Sequence, residues 1–192
     1  KMIQEEAFRC KNITERLLAF SRSSERKREP VELRELVQAV LDLVQTLPHR
    51  GKHIRLEVSD RLPGGKLHAH ANGDEIKQVV LNLIINAVEA MSEVVGTREL
   101  LISTGRNAPD SVLVSLQDSG PGVDPKGAVH LFEPFHTTKA KGMGMGLAIC
   151  RSIIEAHGGW LWSGINEPQG AVFQFPLPVV DGGPAEKVGQ CG

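Results

Sequence analysis

Two asparagine side chains stand out among the residues that could do chemistry, because both occur inside an apolar stretch. Asn82 and Asn86 are four residues apart, so on a helix they lie on one face. An amide buried there without a hydrogen-bond partner would cost about 1–3 kcal/mol. One such asparagine is best explained by a bond to a nearby loop, whereas two in register favour a shared polar ligand. The oxygen of an asparagine amide also suits a hard cation such as Mg²⁺.

A carboxylate followed by glycines forms the second candidate. Asp118-Ser-Gly-Pro-Gly122 comes directly after an apolar stretch that is typical of a strand. Such a segment is commonly no more than a turn. As part of a site, the Asp118 carboxylate would accept a hydrogen bond from an exocyclic amine. Gly120 and Gly122 would then let the backbone approach a flat ring closely.

The third candidate is a run of alternating glycines, Gly142-Met-Gly144-Met145-Gly146, followed by Leu147 and a helical pattern. A glycine-rich turn at a helix N-terminus offers unpaired N–H groups and the positive end of the helix dipole, which suits phosphate. The run lacks the Lys-Ser/Thr pair of a Walker A motif, and its spacing differs from a dinucleotide-binding fingerprint. By itself, a flexible hinge explains it equally well.

Between the last two candidates lies a segment with two phenylalanines. Phe132 and Phe135 bracket a Glu-Pro pair, and we expect them to anchor a mobile loop by burying both rings. Lys139 follows and could reach phosphates as a point charge. An exposed loop lysine deserves nearly equal weight as an interpretation. We interpret His136 as a polar loop residue rather than a catalytic base.

Apolar periodicity predicts the elements that must position these residues. Helices are expected over residues 4–22, 33–47, 74–91 and 145–157, and strands over 54–59, 66–70, 100–104, 112–116, 160–163 and 171–177. Helices interspersed with antiparallel strand pairs indicate an α/β (α+β) two-layer sandwich. We expect one mixed, mostly antiparallel sheet with helices on one face, preceded by one further helix.

The domain organisation is predicted from the residues that interrupt helices and strands, chiefly proline and glycine. Residues 1–29 are predicted to be an amphipathic helix with a charged linker that ends before Pro30, because helix cannot easily continue into a proline. Residues 30–180 form the main domain. The Gly-rich tail, residues 181–192, is predicted to be disordered. The first helix must bury its apolar stripe against this domain or against a partner helix.

Composition excludes several function classes. The chain has 192 residues, a formal net charge of −1 and no basic stripe, which argues against nucleic acid as a partner. No stretch reaches the roughly 20 apolar residues that a membrane span needs. Cys10, Cys150 and Cys191 are far apart, which favours a reducing cytoplasm. The first residue is Lys1, so we expect a fragment of a longer protein, and membrane anchoring of that parent stays open.

In this order, the motifs closely resemble the nucleotide-binding domain of sensor histidine kinases. That domain belongs to the superfamily of type II topoisomerases, heat-shock chaperone ATPases and mismatch-repair ATPases. Residues 82–86 resemble the N box, 118–122 the D-x-G-x-G box, 132–135 the F box and 142–147 the second glycine box. The resemblance covers roughly residues 30–178 and implies the Bergerat-type fold of these ATPases.

The resemblance implies ATP and Mg²⁺ as cofactors. By it, Asn86 binds the metal, Asp118 contacts the adenine amino group, and residues 123–143 form the ATP lid. The full set of implied nucleotide-binding residues is Asn82, Asn86, Asp118, Gly120, Gly122, Lys139, Gly142, Gly144, Met145, Gly146 and Leu147.

The resemblance also implies a function and partners. The chain would donate the γ-phosphate of Mg-ATP to a histidine of a dimerisation and phosphotransfer domain, of which the first helix resembles the end. A response-regulator receiver domain is the implied downstream partner. Homodimerisation through the first helix is left open.

Three departures from the family pattern matter. The superfamily's ATPases carry a glutamate, the base for hydrolysis, where this chain has Asn82, which favours phosphoryl transfer over hydrolysis. None of the seven histidines has the context of a phosphoacceptor, so the acceptor is expected upstream of Lys1 and no catalytic residue within the chain. Gly170-Ala171 replaces a common Gly-Thr, which puts one contact to the adenine site in doubt. An ATPase that drives a conformational change, or a regulatory nucleotide-binding module, is the alternative.

Overall fold

The computed structural model describes residues 27–46, 54–60, 67–137 and 143–179. The predicted helix over residues 4–22 and the predicted tail over 181–192 lie outside these ranges. The description therefore concerns the main domain and the last residues of the segment that leads into it.

A five-stranded sheet forms one layer of the domain. Its strands are β2 (Ile54–Asp60), β4 (Arg98–Ala108), β5 (Ser111–Asp118), β6 (Trp162–Ile165) and β7 (Ala171–Pro178). The spatial order is β2-β4-β5-β7-β6, and every pair is antiparallel except β2 with β4. The prediction of a mixed, mostly antiparallel sheet is thus confirmed.

A second, two-stranded sheet was not expected from the sequence. It pairs β1 (Glu29–Glu32) with β3 (His68–Ala71) in antiparallel register, with Val31 opposite Ala69. Pro30 lies within β1, which is a tolerable position because β1 is an edge strand and proline there removes no central ladder bond. The residue that seemed to close a linker is therefore part of a strand.

The helices are α1 (Leu33–Thr46), α2 (Gly73–Ala90), the short α3 (Pro125–Ala128) and α4 (Gly146–Ala156). Residues spaced three and four apart on α1 and α2 are fully buried, in the pattern the periodicity predicts. They pack with alternate residues of the sheet, among them Ile102, Val114 and Phe175, to form the core between helices and sheet. α3 was not predicted.

The start of α2 shows why the helix begins where it does. Asn72 is the N-cap, and its side-chain oxygen accepts a hydrogen bond from the Glu75 N–H at 3.1 Å. Asp74 and Glu75 lie in the first turn, where carboxylates favour the positive end of the helix dipole. The sequence placed the start of this helix one residue later.

Strands β4 and β5 extend beyond the predicted 100–104 and 112–116. They continue to a tight turn at Pro109 and Asp110, and the register shifts between Arg106 and Ala108. The extension matters for the site, because β5 runs to Asp118 and carries that carboxylate at its end. Among the described residues, no helix is long and apolar enough to cross a membrane.

Candidate nucleotide site

Asp118 ends β5 as a buried carboxylate, only 4% exposed. Its Oδ1 accepts hydrogen bonds from the Gly120 N–H at 2.8 Å and from the Ala171 N–H at 3.2 Å. Burial raises the pKa of the Asp118 carboxyl above its ordinary value of 3.8, and these two N–H donors offset part of that rise. No described residue donates to Oδ2. The carboxylate is thus held by one oxygen, which leaves the other for a ligand donor.

The turn after Asp118 has no room for a side chain at two glycines, Gly120 and Gly122. A Cβ at Gly120 would lie 2.8 Å from Asp118 Oδ1 and 3.3 Å from the Cβ of Ala90. Gly122 has a φ of +83°, and a Cβ there would lie 3.0 Å from the carbonyl oxygen of Gly170. Glycine is required at Gly122 by its backbone conformation and at Gly120 by space. The contact with Ala90 places this turn against the C-terminal end of α2.

Ser119 fastens the same turn to the sheet. Its Oγ accepts a hydrogen bond from the Glu99 N–H at 2.9 Å, and its N–H donates to the Glu99 carbonyl at 3.0 Å. Glu99 lies at the start of β4, so β4 and the turn cannot move independently. The serine inside the predicted motif therefore acts on the fold rather than on a ligand.

Asn82 and Asn86 lie on a polar stripe of α2. Glu75, Gln78, Asn82, Asn86 and Glu89 recur at spacings of three and four, and all are half-buried, whereas the opposite stripe is fully buried in the core. The structure therefore places both asparagines on one half-buried face of a helix, as their spacing predicted.

Helix α4 packs against α2 in antiparallel orientation, and two contacts establish the register. The Asn72 N–H donates to His157 Nε2 at 3.0 Å, and Cys150 Sγ lies 3.9 Å from the Val79 carbonyl oxygen. Between these contacts each helix advances seven residues in opposite directions. Four further residues bring the N-terminus of α4, at Gly146, level with Leu83 of α2, within one helical turn of both Asn82 and Asn86.

The N-terminus of α4 is a suitable place for an anion. Its N-cap is Met145, which makes no side-chain capping hydrogen bond, so no side chain competes for the first N–H groups of the helix. At 11 residues, α4 is long enough for its dipole to favour negative charge at that end. Leu147 is half-buried and packs against the core, which fixes the first turn in place.

His157 lies at the other end of α4. It is 2% exposed, and its Nδ1 lies 2.8 Å from the Ile153 carbonyl. Since Nε2 accepts from Asn72, the neutral ring carries its proton on Nδ1. Glu75 Oε2 lies 3.8 Å from Nε2, too far for a hydrogen bond. His157 thereby joins the two helices that flank the candidate site.

Phe135, within the predicted lid, contacts Gly144, the residue that directly follows it. The Phe135 N–H donates to the Gly144 carbonyl at 3.0 Å. Gly144 has a φ of +66°, and a Cβ there would lie 2.5 Å from backbone atoms of Phe135 and His136. Here glycine is required both by conformation and by space.

One expectation about this segment is wrong. Phe132 is half-buried and packs against the core, but Phe135 is 74% exposed. Phe135 has a φ of +67°, a conformation that bulky residues rarely adopt, and this turns its ring away from the core. Only one of the two rings anchors the loop.

The predicted site residues otherwise fall into three groups. Asp118, Gly120 and Gly122 form one corner, beside the C-terminal end of α2. Asn82 and Asn86 lie within one helical turn of the level of Gly146, and Gly144 fastens the lid next to them. Lys139 and Gly142 lie outside the described residues.

Three groups at the site were missed from the sequence. The Asn166 side chain donates to the main-chain carbonyl of Asp118 at 2.8 Å. The Ala171 main-chain N–H, rather than a side chain at that position, contacts Asp118 Oδ1. Asn72 caps α2 and bonds His157, and the pattern Asn72-x-x-Glu75 before an apolar stretch was the signal available for it.

Comparison with known proteins identifies the family of the chain. Residues 71–181 match the family described as histidine kinase-, DNA gyrase B- and HSP90-like ATPase. The sensor protein FixL of Bradyrhizobium diazoefficiens is 38% identical over 179 residues, which are 92% of this chain and 34% of FixL. The chain thus spans about a third of the length of that relative.

Solved structures show the same fold. The nucleotide-free catalytic domain of the histidine kinase ThkA is 34% identical, with a TM-score of 0.69 over 79% of this chain and 95% of that one. ThkA in complex with the response regulator TrrA matches with a TM-score of 0.74 at 30% identity, over 93% of this chain and 50% of that one. Full-length ShkA in complex with AMPPNP matches with a TM-score of 0.77 at 28% identity, over 92% of this chain and 37% of that one.

The resemblance assigns nucleotide binding to the buried carboxylate, the two in-register asparagines and the N-terminus of α4, and that assignment stays a prediction. The family match covers more than half of the chain, and the ThkA domain is matched over nearly its whole length. The chain therefore belongs to the histidine kinase-, DNA gyrase B- and HSP90-like ATPase family, and within it to the catalytic domains of sensor histidine kinases.

Proposed function

We propose that this chain binds ATP with Mg²⁺ between α2, α4 and the Asp118 turn, and that it supplies the γ-phosphate to a histidine of its parent protein. The antiparallel packing of α2 and α4 carries the proposal. By this packing the N-terminus of α4 comes within one helical turn of the level of Asn82 and Asn86, and Gly120 lies against Ala90 at the C-terminal end of α2, which supports one site along α2.

At the Asp118 end, the carboxylate would accept a hydrogen bond from the adenine amino group. Its Oδ1 is already held by two backbone donors, so Oδ2 is the oxygen that would face the base. A guanine ring presents an acceptor oxygen at the corresponding position, which a carboxylate would repel. The pairing of a buried acceptor with an amino group is therefore a basis for selecting adenine.

At the other end, the first turn of α4 would receive the phosphates. Main-chain N–H groups there and the helix dipole favour negative charge without any lysine. Asn86, on the neighbouring helix, would supply an amide oxygen to Mg²⁺. No described cluster of histidine, cysteine, aspartate and glutamate could enclose a metal by itself. This donor set fits Mg²⁺, which commonly takes one or two protein oxygens and completes its shell with phosphates and water.

The transfer step would use few groups of this chain. A histidine nitrogen of the dimerisation and phosphotransfer segment attacks the γ-phosphorus, the bond from that phosphorus to the bridging oxygen breaks, and ADP leaves with the electron pair. Bound Mg²⁺ would offset the charge that develops on the leaving oxygens. The chain's own contribution is to hold the phosphates in line, as in other phosphoryl transfers. ThkA has been solved with a response regulator, so we propose a receiver domain as the next acceptor.

Asn82 weighs against steady hydrolysis. An amide cannot accept a proton from water at neutral pH, and in the family's ATPases this position carries a glutamate. We propose that the purified chain binds ATP without sustained turnover. Steady release of phosphate that is lost in Asn82→Ala would instead identify an ATPase.

The binding proposal is tested with a fluorescent ATP analogue, with and without Mg²⁺. Asn86→Ala should remove the part of the affinity that depends on Mg²⁺, whereas Asp118→Asn should weaken binding in both conditions, each by about tenfold or more. Gln78→Ala is the matched control, because Gln78 lies on the same stripe of α2 but farther from the N-terminus of α4. Unchanged affinity in both site variants would overturn the pocket assignment.

The transfer proposal needs a second polypeptide. The chain is mixed with a separate dimerisation and phosphotransfer segment and radiolabelled ATP, and label should appear on a histidine of that segment. Stable label on any of the seven histidines of this chain would contradict the proposal.

We also propose a cytoplasmic location for this chain. Its three cysteines are far apart in the sequence, which favours a reducing compartment.

A further inference from the structure

The turn between β6 and β7 reaches back to the end of β5. It spans residues 166–170 and is closed by the Asn166 N–H, which donates to the Gly170 carbonyl at 3.0 Å. The Asn166 side chain is half-buried and points away from this turn, since its Nδ2 donates to the main-chain carbonyl of Asp118 at 2.8 Å. The two residues are 48 positions apart in sequence.

The bond compensates for a break in the sheet. The ladder between β5 and β7 ends at the pair Gln117 and Val172. One position further, the Ala171 N–H donates to the Asp118 carboxylate instead of continuing a backbone ladder. The main-chain carbonyl of Asp118 is satisfied from the other side by the amide of Asn166. The turn therefore holds the backbone of Asp118, and Ala171, the residue that directly follows the turn, holds its side chain.

Gly170 brings the two segments this close. Its φ is +127°, and a Cβ there would lie 1.8 Å from the Asp118 carbonyl oxygen. Main chain thus lies directly on main chain, and no side chain could separate the turn from Asp118. A movement of the turn would consequently also move Asp118 and its carboxylate.

We propose that Asn166 is a positioning residue for the nucleotide base, which it serves by fixing the main chain of Asp118 and so aiming the carboxylate. The inference rests on the proposed function, in which Asp118 accepts from adenine. It adds that selection of adenine over guanine depends on the β6–β7 turn, which itself touches no base in this scheme. A turn that only stabilised the hairpin would affect all nucleotides alike.

The test measures the affinities of ADP and GDP for the full chain by calorimetry. Asn166→Ala should weaken ADP binding by about tenfold, the scale of one lost hydrogen bond at a buried group, and leave the weak GDP affinity unchanged. Asn166→Asp should weaken ADP binding more than Asn166→Ala does, because it sets a carboxylate, which is an acceptor, against the carbonyl oxygen of Asp118. Gln169→Ala is the matched control, an amide truncated at an exposed position in the same turn, and should bind ADP like the unmodified chain.

The outcomes separate this inference from the proposed function. If Asp118→Asn also leaves ADP affinity unchanged, the pocket assignment fails. If Asp118→Asn weakens ADP but Asn166→Ala does not, or lowers ADP and GDP equally, only the role of Asn166 is overturned. In the unmodified chain, the side-chain amide signals of Asn166 in an NMR spectrum should shift on ADP addition. Signals that stay unmoved at saturating ADP would overturn the role even if the variants fail to fold.

Discussion

The two ends of the proposed cleft are built in opposite ways. At the Asp118 end, a buried carboxylate and its turn are tied to β4, β7 and the β6–β7 turn by four hydrogen bonds described above. At the phosphate end, Phe135, in the described part of the lid, is bonded through its backbone to Gly144, and the side chains of residues 133–137 are exposed. We therefore propose that base recognition is pre-formed in the fold, whereas the phosphate end adjusts to the ligand.

The largest effect is expected at the rigid end, from Gly170→Ala. The new Cβ would overlap the Asp118 carbonyl oxygen, and alanine disfavours a φ of +127°. Strain and overpacking together should lower the free energy of unfolding by about 2–6 kcal/mol, measured by urea denaturation.

Two glycine controls separate the causes. Gly96 has a φ of +116° with open space around it, so Gly96→Ala should show the conformational cost alone, about 1–3 kcal/mol. Gly127 has neither constraint, and Gly127→Ala should be neutral or slightly stabilising. If Gly170→Ala costs no more than Gly96→Ala, the close approach to Asp118 is not a constraint on the fold.

The rigid end should also show a conflict between stability and binding, which Asp118→Asn would reveal. Burial raises the pKa of the Asp118 carboxyl above 3.8, so its contribution to stability is fully present below pH 3.8 and lost as pH rises through the raised value. Without nucleotide at pH 7, the neutral asparagine should therefore raise the melting temperature while it weakens ATP binding.

The difference in melting temperature should shrink as the pH falls towards 3.8, because the wild-type carboxyl then becomes neutral as well. Asp110→Asn removes an exposed carboxylate from the β4–β5 turn and serves as the control, with little change expected at either pH. A melting temperature that drops at pH 7 in Asp118→Asn would mean that the charged hydrogen bonds outweigh desolvation.

The same comparison explains what could be predicted from the sequence. Asn82, Asn86 and the Asp118 motif are local patterns, and helical spacing or a strand end was enough to place them. The bonds that hold them are not local: Asn166 and Asp118 are 48 residues apart, and Asn72 and His157 are 85 apart. Pairings of that kind depend on strand order and helix register, which the pattern of one segment does not contain.

Phe135 shows a different reason for failure. Hydrophobicity predicted a buried ring, but the backbone at this residue takes a left-handed conformation and directs the ring outward. The conformation of Phe135 goes with the close approach of its backbone to Gly144, which is a tertiary contact that the local sequence pattern does not contain. Apolar character predicts burial only where the backbone lets the side chain face the core.

At the phosphate end, Gly144→Ala should affect ATP without affecting adenosine. The added Cβ would meet the backbone of Phe135 and His136 at 2.5 Å, so this part of the lid could not keep its contact with Gly144. We expect ATP affinity to fall by about tenfold while adenosine affinity stays the same, measured by calorimetry. Gly158→Ala is the control, since Gly158 also has a left-handed φ, +79°, but lies just beyond the opposite end of α4, where a Cβ meets nothing within 4 Å. An equal loss for adenosine would mean that the two ends of the cleft are not independent.

The smallest effect is expected from relieving the conformation of Phe135. Asparagine tolerates a φ of +67° far better than phenylalanine, so Phe135→Asn should raise the free energy of unfolding by about 1 kcal/mol. Little burial is lost in exchange, because the ring is 74% exposed. Val129→Asn makes a similar apolar-to-polar change at a site that is 77% exposed and not left-handed, and it should change stability by less than about 0.5 kcal/mol. Equal shifts in the two variants would show that no strain is held at Phe135. A gain confined to Phe135→Asn would show that the lid contact holds an exposed ring in a strained conformation at a cost in stability. At the Asp118 corner, by contrast, the strained glycines hold a buried carboxylate in place.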